Sequence, residues 1–214
     1  MSDLYNEKPS HTHDTAQGVE VEITKSTKPE DEWFQEFREF DYGIDIGSNI
    51  ILIQDDIEQG LLFDVVSKVR LLRKINRDLT DITILLNSNG GEVVETLGLI
   101  DYLRNLKNEG ITTNIVCRGA AMSAAALLLT AGTGIRAASK HSKIMVHQLS
   151  SFASGKLSDL KSNAKFAEQL EDDCNTIMAE CTKKDKDWWQ SNQQTDYFLT
   201  AEEALELGII DKII

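Results

Sequence analysis

Cysteine, proline and long apolar runs are all scarce in this 214-residue chain, which has three cysteines and two prolines. The cysteines (Cys117, Cys174 and Cys181) are too few and too widely spaced for a disulfide framework or a metal-binding motif. We therefore expect buried thiols in a reducing compartment, which predicts a cytoplasmic protein. The most apolar stretch, 120–129, contains a serine and is too short to cross a bilayer. The first residues are acidic and lack an apolar segment, so we expect no secretory signal.

Positive charge is also scarce. The chain has 22 Lys and Arg against 35 Asp and Glu, a formal net charge of −13. Such a surface repels phosphate backbones and anionic lipids, so we expect neither a nucleic-acid partner nor a membrane partner. The sequence has no phosphate-binding loop, dinucleotide fingerprint or zinc signature, so we expect no cofactor, no metal and no ATP hydrolysis by the chain itself.

Much of the acid lies at the N-terminus. Twelve of the acidic residues and only four of the basic ones fall within 1–45, together with both prolines. Aromatic residues then recur at near-helical spacing over 33–42, a pattern typical of a short docking segment. We therefore predict an acidic arm over 1–46, with its aromatic docking segment, and a folded domain over 47–214.

The predicted domain alternates strand and helix patterns, with no internal repeat. Strands are predicted at 50–53, 82–86, 113–117, 135–138, 144–147 and 209–214, and helices at 60–74, 93–106, 122–130 and 157–182. A capping box opens one more short helix at Thr200, and Gly208 closes it. Repeated strand–helix units of this length predict an α/β fold with a largely parallel sheet.

Two strand-to-helix junctions are candidates for chemistry. At 87–91 a polar turn ends in Gly90 and Gly91, and paired glycines let backbone N–H groups approach a ligand closely. At 119–125 small residues surround Ser123, the one hydroxyl of the apolar stretch. The ordinary alternatives are a tight turn at the glycines and a helix-capping serine at Ser123.

A nucleophilic serine needs a base, and the chain has four histidines. His11 and His13 lie in the predicted arm, and His141 lies in a polar turn. His147 ends an apolar strand, where catalytic residues of α/β folds are commonly found, although a hydrogen-bonded structural histidine fits the same position. Asp196, just before another apolar segment, is a candidate orienting acid or a simple turn residue. The order Ser, His, Asp is compatible with a triad.

Four motifs occur in a characteristic order in the last three quarters of the chain. They are Leu-Asn-Ser-Asn-Gly-Gly at 86–91, Gly-Ala-Ala-Met-Ser-Ala at 119–124, Met-Val-His-Gln at 145–148, and Asp-Tyr-Phe-Leu-Thr-Ala-Glu-Glu-Ala at 196–204 with Gly-Ile-Ile-Asp at 208–211. Together they resemble the proteolytic subunit of the Clp protease family, ClpP. The chain looks like a divergent member, because Asn89 and Leu149 stand where the family usually has proline.

This resemblance implies a fold, a site and an assembly. The fold would be the ClpP/crotonase-like α/β fold, with the helix at 157–182 as a protruding handle. The nucleophile would be Ser123, the base His147 and the orienting acid Asp196. The backbone N–H groups of Gly91 and Ala124 would form the oxyanion hole. The assembly would be two stacked heptameric rings that receive unfolded polypeptides from an AAA+ unfoldase.

Three other functions fit parts of the sequence. A head-maturation protease of a virus resembles the same family, a non-catalytic ring subunit would fill a position in an assembly, and a crotonase-type acyl-CoA enzyme shares the expected fold. The presence of all three triad candidates argues against a non-catalytic subunit, and the match around Asp196 and through the C-terminal segment favours the Clp-type role over a viral protease. The resemblance also predicts that the acidic arm restricts an axial pore and that its aromatic segment anchors it.

Overall fold

The computed structural model describes residues 41–150 and 154–214. Within these ranges the chain forms eight strands and six helices. The strands are β1 (Ile44–Asp45), β2 (Ile50–Ile53), β3 (Asp81–Ser88), β4 (Thr112–Met122), β5 (Arg136–Ala138), β6 (Lys143–Val146), β7 (Tyr197–Leu199) and β8 (Lys212–Ile213). The helices are α1 (Leu61–Ile75), α2 (Val93–Asn108), α3 (Ala124–Thr130), α4 (Leu157–Cys181), α5 (Lys186–Asn192) and α6 (Ala201–Leu207).

All eight strands belong to one sheet. Its main order is β1-β2-β3-β4-β5-β8, while β6 pairs with β4 and with β7. The β1–β2 and β6–β7 pairs are antiparallel and the other five pairs are parallel. The predicted α/β fold with a largely parallel sheet is therefore confirmed for the described part of the chain.

Strand β4 belongs to two arms of this sheet. Its first half pairs with β5 from Ile115 to Cys117, and its second half pairs with β6 from Ala120 to Met122. Between the halves the Asn87 side-chain oxygen accepts a hydrogen bond from the Ala120 amide at 2.9 Å. A Cβ at Gly119 would overlap that oxygen, and the φ of Gly119 is +114°, so the irregularity requires glycine. The junction directs the end of β4 towards β6.

Helix α3 lies at the centre of the hydrophobic core. Every one of its residues is buried, and it contacts β4, α2 and α4. Six of its seven residues are alanine or leucine, and a helix that is apolar on every side is buried on every side. Because α3 begins two residues after β4 ends, the packing of this helix fixes its N-terminus next to the end of β4.

Helix α4 leaves the body of the domain. Its only fully buried residues are Asn175, Ile177 and Met178, all in its C-terminal third. Leu157 is 69% exposed and Phe166 is 53% exposed, so two large apolar side chains of this helix are uncovered in the single chain. The helix therefore has the form of the predicted handle.

Several boundaries differ from the predictions. Ordered packing begins before residue 47, because Ile44 is buried and β1 pairs with β2. Strand β4 continues to Met122, so the helix predicted from 122 begins at Ala124. The predicted C-terminal strand over 209–214 is only β8, and α5 was not predicted. Residues 1–40, which hold most of the predicted arm and its aromatic segment, lie outside the described residues. No helix of the described ranges is long and apolar enough to span a membrane.

Arg136 joins the C-terminus of the domain to its core. Its guanidinium donates to both carboxylate oxygens of Asp211, at 2.6 and 3.1 Å, and to the carbonyls of Thr130 and Cys181. Burial raises the pKa of Asp211, but the hydrogen bonds and charge of Arg136 outweigh it and hold that pKa below the ordinary 3.8. The ion pair therefore favours the folded state where Asp211 is ionised.

We expect Asp211→Asn to lower the free energy of unfolding by about 1–2 kcal/mol at neutral pH, since it weakens hydrogen bonds to a charged and partly exposed group. Because the folded-state pKa is depressed, this contribution is complete above the ordinary pKa of aspartate and is lost as pH falls through the folded value. Urea unfolding at matched protein concentration tests this. The difference between variant and wild type should shrink below about pH 4, and a constant difference would contradict it.

Candidate active site

Ser123 occupies a strained turn between β4 and α3. Its φ is 55° and its ψ is −126°, a backbone conformation that costs a non-glycine residue about 1–3 kcal/mol. The amide of Ser123 donates to the Met145 carbonyl at 2.8 Å, which fixes the turn against β6. Its side chain makes no capping hydrogen bond, so the alternative of a helix-capping serine is wrong. Instead of capping α3, the hydroxyl is directed towards His147.

The sheet register brings His147 to this hydroxyl. Met122 pairs with Met145 in the parallel β4–β6 ladder, so the residues that follow the two strands lie side by side. His147 Nε2 lies 2.8 Å from Ser123 Oγ, a good hydrogen-bond distance. The side chain of His147 is 23% exposed. With the proton of the neutral ring on Nδ1, Nε2 accepts the hydroxyl proton, as a general base does.

The register of the sheet also places Asp196 beside His147. Strand β7 is antiparallel to β6 and pairs Tyr197 with Val146, so Asp196 lies opposite His147. Asp196 Oδ1 is 3.8 Å from His147 Nδ1, within ion-pair distance but too long for a hydrogen bond. The carboxylate is 58% exposed. The structure thus brings all three candidate residues together, with one close contact and one longer one.

Gly90 and Gly91 form the other side of the turn. The Gly90 carbonyl accepts from the Ile57 amide at 2.7 Å, and the Glu92 amide donates to the Ile57 carbonyl at 2.8 Å. This parallel bridge leaves the Gly91 amide directed away from Ile57. The φ angles of Gly90 and Gly91 are +101° and +143°, so both positions favour glycine for conformation as well as for space.

Ala124 is the first residue of α3, and the first amides of a helix have no acceptor within the helix. Gly91 and Ala124 line one pocket together with Ser123 and His147. The two residues predicted to supply the oxyanion donors therefore line the pocket that the serine and the histidine share. A negatively charged oxygen there would also be stabilised by the positive end of the helix dipole.

Three contributors to this geometry were not predicted. Ile57 clamps the glycines, the Met145 carbonyl fixes the serine turn, and Glu95 holds the loop after Ile57. The Glu95 carboxylate accepts hydrogen bonds from the amides of Gly60 and Leu62 at 2.9 and 2.8 Å. A side chain of α2 thus caps the N-terminus of α1. Two of the three act through backbone atoms, and no residue pattern in the sequence marks such a contact.

The remaining candidates lie elsewhere. His141 is exposed in the turn before β6, and His11 and His13 are outside the described residues. Within 41–150 and 154–214, no group of three or more His, Cys, Asp or Glu side chains could hold a metal ion.

Comparison with known proteins identifies the family of this chain. The model of the Clp protease family matches residues 39–214. The ATP-dependent Clp protease proteolytic subunit 2 of Chlamydia trachomatis is 36% identical over 167 residues, which cover 77% of this chain and 80% of that protein. The ATP-dependent Clp protease proteolytic subunit of Bacteroides thetaiotaomicron is 38% identical over 135 residues, or 63% of this chain and 60% of that protein.

The chain belongs to the Clp protease family. The predicted family membership is therefore confirmed, and with it the ClpP-type α/β fold and a Clp-type protease subunit as the function.

Proposed function

We propose that this protein is a serine endopeptidase whose nucleophile is Ser123, whose base is His147 and whose orienting acid is Asp196. The observation that carries the proposal is the 2.8 Å contact between Ser123 Oγ and His147 Nε2 at a strained strand-to-helix turn. Backbone strain of this kind persists only where the surrounding structure holds the residue in place, and it clusters at active sites.

The reaction follows from these groups. Ser123 Oγ attacks the peptide carbonyl while His147 Nε2 takes its proton, and the tetrahedral oxyanion forms beside the amides of Gly91 and Ala124. His147 then gives the proton to the leaving amine, and an acyl-enzyme remains on Ser123. Water, activated by the same histidine, releases the acyl group. In well-studied hydrolases each oxyanion donor is worth about 2.7–4 kcal/mol in the transition state.

We further propose the assembly and the partner. Two stacked heptameric rings would use α4 as the contact between rings, which suits the exposed Leu157 and Phe166. The relatives are named ATP-dependent, while this sequence has no nucleotide-binding motif. An AAA+ unfoldase would therefore supply the energy and deliver unfolded polypeptides in the cytoplasm. The net charge of −13 favours neither a nucleic acid nor a membrane as partner.

A non-catalytic ring subunit is the second candidate. Such a subunit needs the apolar contact surfaces but has no use for a strained serine hydrogen-bonded to a histidine. A viral head-maturation protease would use the same site on a capsid scaffold without an unfoldase. The curated relatives named above are Clp protease subunits, which favours the Clp-type role.

Light scattering and peptide hydrolysis on the same size-exclusion fractions test the proposal. We expect the mass of seven or fourteen copies of the 23.9-kDa chain, with hydrolysis of a short fluorogenic peptide in those fractions. Intact casein should be degraded quickly only when an unfoldase and ATP are added. A monomer at every concentration would contradict the ring, and rings without hydrolysis would favour the non-catalytic subunit.

The glycine behind the serine offers a separate test. A Cβ at Gly90 would lie 2.5 Å from the Met122 carbonyl and 2.7 Å from Ser123 Cβ, so Gly90→Ala must displace the serine turn. We expect peptide turnover to fall at least about 100-fold, because small misplacements of reacting groups have effects of that size. Gly110→Ala is the matched control, since the φ of Gly110 is +88° but its Cβ would meet nothing within 4 Å.

Gly110→Ala should lose about 1–2 kcal/mol of stability from the left-handed backbone alone and keep its turnover. If both variants keep turnover, the close approach of Gly90 to Ser123 has no part in the chemistry.

A further inference from the structure

The pocket beside Ser123 has a composition that the reaction itself does not require. Its volume is about 90 Å³, and it lies between the serine turn and the C-terminal half of α4. Apolar side chains form most of its wall: Val93, Leu127, Val146, Leu149 and Met178. Because Ser123 and His147 both line it, the residue whose carbonyl is attacked would lie next to it.

One carboxylate lies in this wall. Among the described residues that line the pocket, Glu171 is the only acidic one, and none is Lys or Arg. Gln148 Nε2 donates to Glu171 Oε2 at 3.2 Å, and the Gln148 amide donates to the Gln193 carbonyl at 2.6 Å. Gln148 follows His147, so the position of the carboxylate is tied to that of the base. A carboxylate has about four acceptor positions, and the one hydrogen bond that Glu171 accepts from a described residue leaves positions for a ligand.

Two other polar groups of the wall, Cys174 and Asn175, carry no charge. Burial, followed by the negative charges of Asp173 and Glu171, raises the pKa of the Cys174 thiol to about 11, so this thiol is protonated at neutral pH. Asn175 is 3% exposed, and its side-chain oxygen accepts from Gln193 Nε2 at 3.1 Å. The acidity of the pocket therefore comes from Glu171.

The size of the pocket limits its occupant. A dry cavity of about 150 Å³ holds a benzene ring, so about 90 Å³ suits an unbranched aliphatic chain better than an aromatic one. Lysine and arginine combine an unbranched apolar stem with a cationic end. An acidic side chain would meet Glu171 with like charge.

We propose that this pocket binds a lysine or arginine side chain of the substrate on the acyl side of the scissile bond, with Glu171 accepting its cation. The inference rests on the proposed peptidase function and adds the class of residue after which the protein cleaves. Glu171 acts here as a specificity-determining residue, since a charged partner at the end of an apolar pocket separates lysine from an uncharged chain of similar length.

Four blocked fluorogenic peptides that differ only at the residue before the fluorophore test this, with lysine, norleucine, leucine or glutamate at that position. On the full-length protein we expect kcat/KM for lysine to exceed that for norleucine about tenfold, the low end for hydrogen bonds to a charged group because Glu171 is partly exposed. Glutamate should be the poorest. Added salt should reduce the preference for lysine.

Glu171→Gln should bring the ratio of lysine to norleucine close to one. The control is Glu168→Gln, the same change at an exposed position of α4 that does not line the pocket, and it should keep the wild-type ratio. A wild-type ratio near one, or an unchanged ratio in Glu171→Gln, would overturn the specificity and leave the peptidase function standing. No cleavage of any of the four peptides would overturn both.

Discussion

Ser123→Ala is expected to reduce kcat for peptide hydrolysis about 10⁶-fold, to background, because no other group can form the acyl-enzyme. Serine and alanine both carry a Cβ, so the strained φ of 55° is equally costly for both, and the variant should fold and assemble normally. Among the described residues, the only side-chain hydrogen bond lost is the 2.8 Å contact with His147 Nε2. Peptide hydrolysis by the variant is followed over hours, and serial dilutions of the wild type set the detection limit for the decrease in kcat.

Ser191→Ala is the matched control for this experiment. Its hydroxyl donates to the Asp187 carbonyl within α5, away from the pocket, so turnover should stay within twofold of wild type. Residual turnover of a few per cent in Ser123→Ala, with normal assembly, would mean that another residue is the nucleophile.

Asp196→Asn is expected to lower kcat about 10⁴-fold, because an amide no longer favours the His147 tautomer with its proton on Nδ1. The effect should appear in kcat and not in KM, since Asp196 does not line the pocket beside Ser123. The 3.8 Å separation of Nδ1 and Oδ1 is longer than a hydrogen bond, so full activity needs the carboxylate to move closer when substrate binds.

Asp187→Asn, the same change in the first turn of α5, should leave both constants unchanged. If Asp196→Asn reduces kcat less than tenfold, the histidine works without an acid partner and the site is a Ser-His pair.

Local patterns predicted the elements well where one residue determines the structure. Thr200 and Glu203 form the reciprocal capping box, and Gly208 ends α6 in the left-handed conformation, as their residue types require. Hydroxyl scarcity and histidine elimination marked Ser123 and His147 as candidates, and the resemblance to ClpP assigned their roles. The structure places the two side chains 2.8 Å apart.

Elsewhere the prediction of secondary structure and of site residues failed, because contacts between distant parts of the chain determine the structure there. The segment 120–122 consists of good helix formers, yet it is strand, because Ala120 to Met122 find hydrogen-bond partners in β6. Tertiary context of this kind overrides local propensity. The Ile57 clamp and the position of Glu171 on the pocket depend on contacts between distant segments, so spacing along the chain gave no indication of them.

The central claim is that Ser123 is the nucleophile, and covalent labelling with a fluorophosphonate tests it most directly. Mass spectrometry of the digested, assembled protein should find one adduct, on Ser123, that is absent from Ser123→Ala and slow to form in His147→Ala. Labelling needs no unfoldase and no knowledge of substrate preference. An unlabelled wild-type ring, or an adduct that persists in Ser123→Ala, would contradict the account.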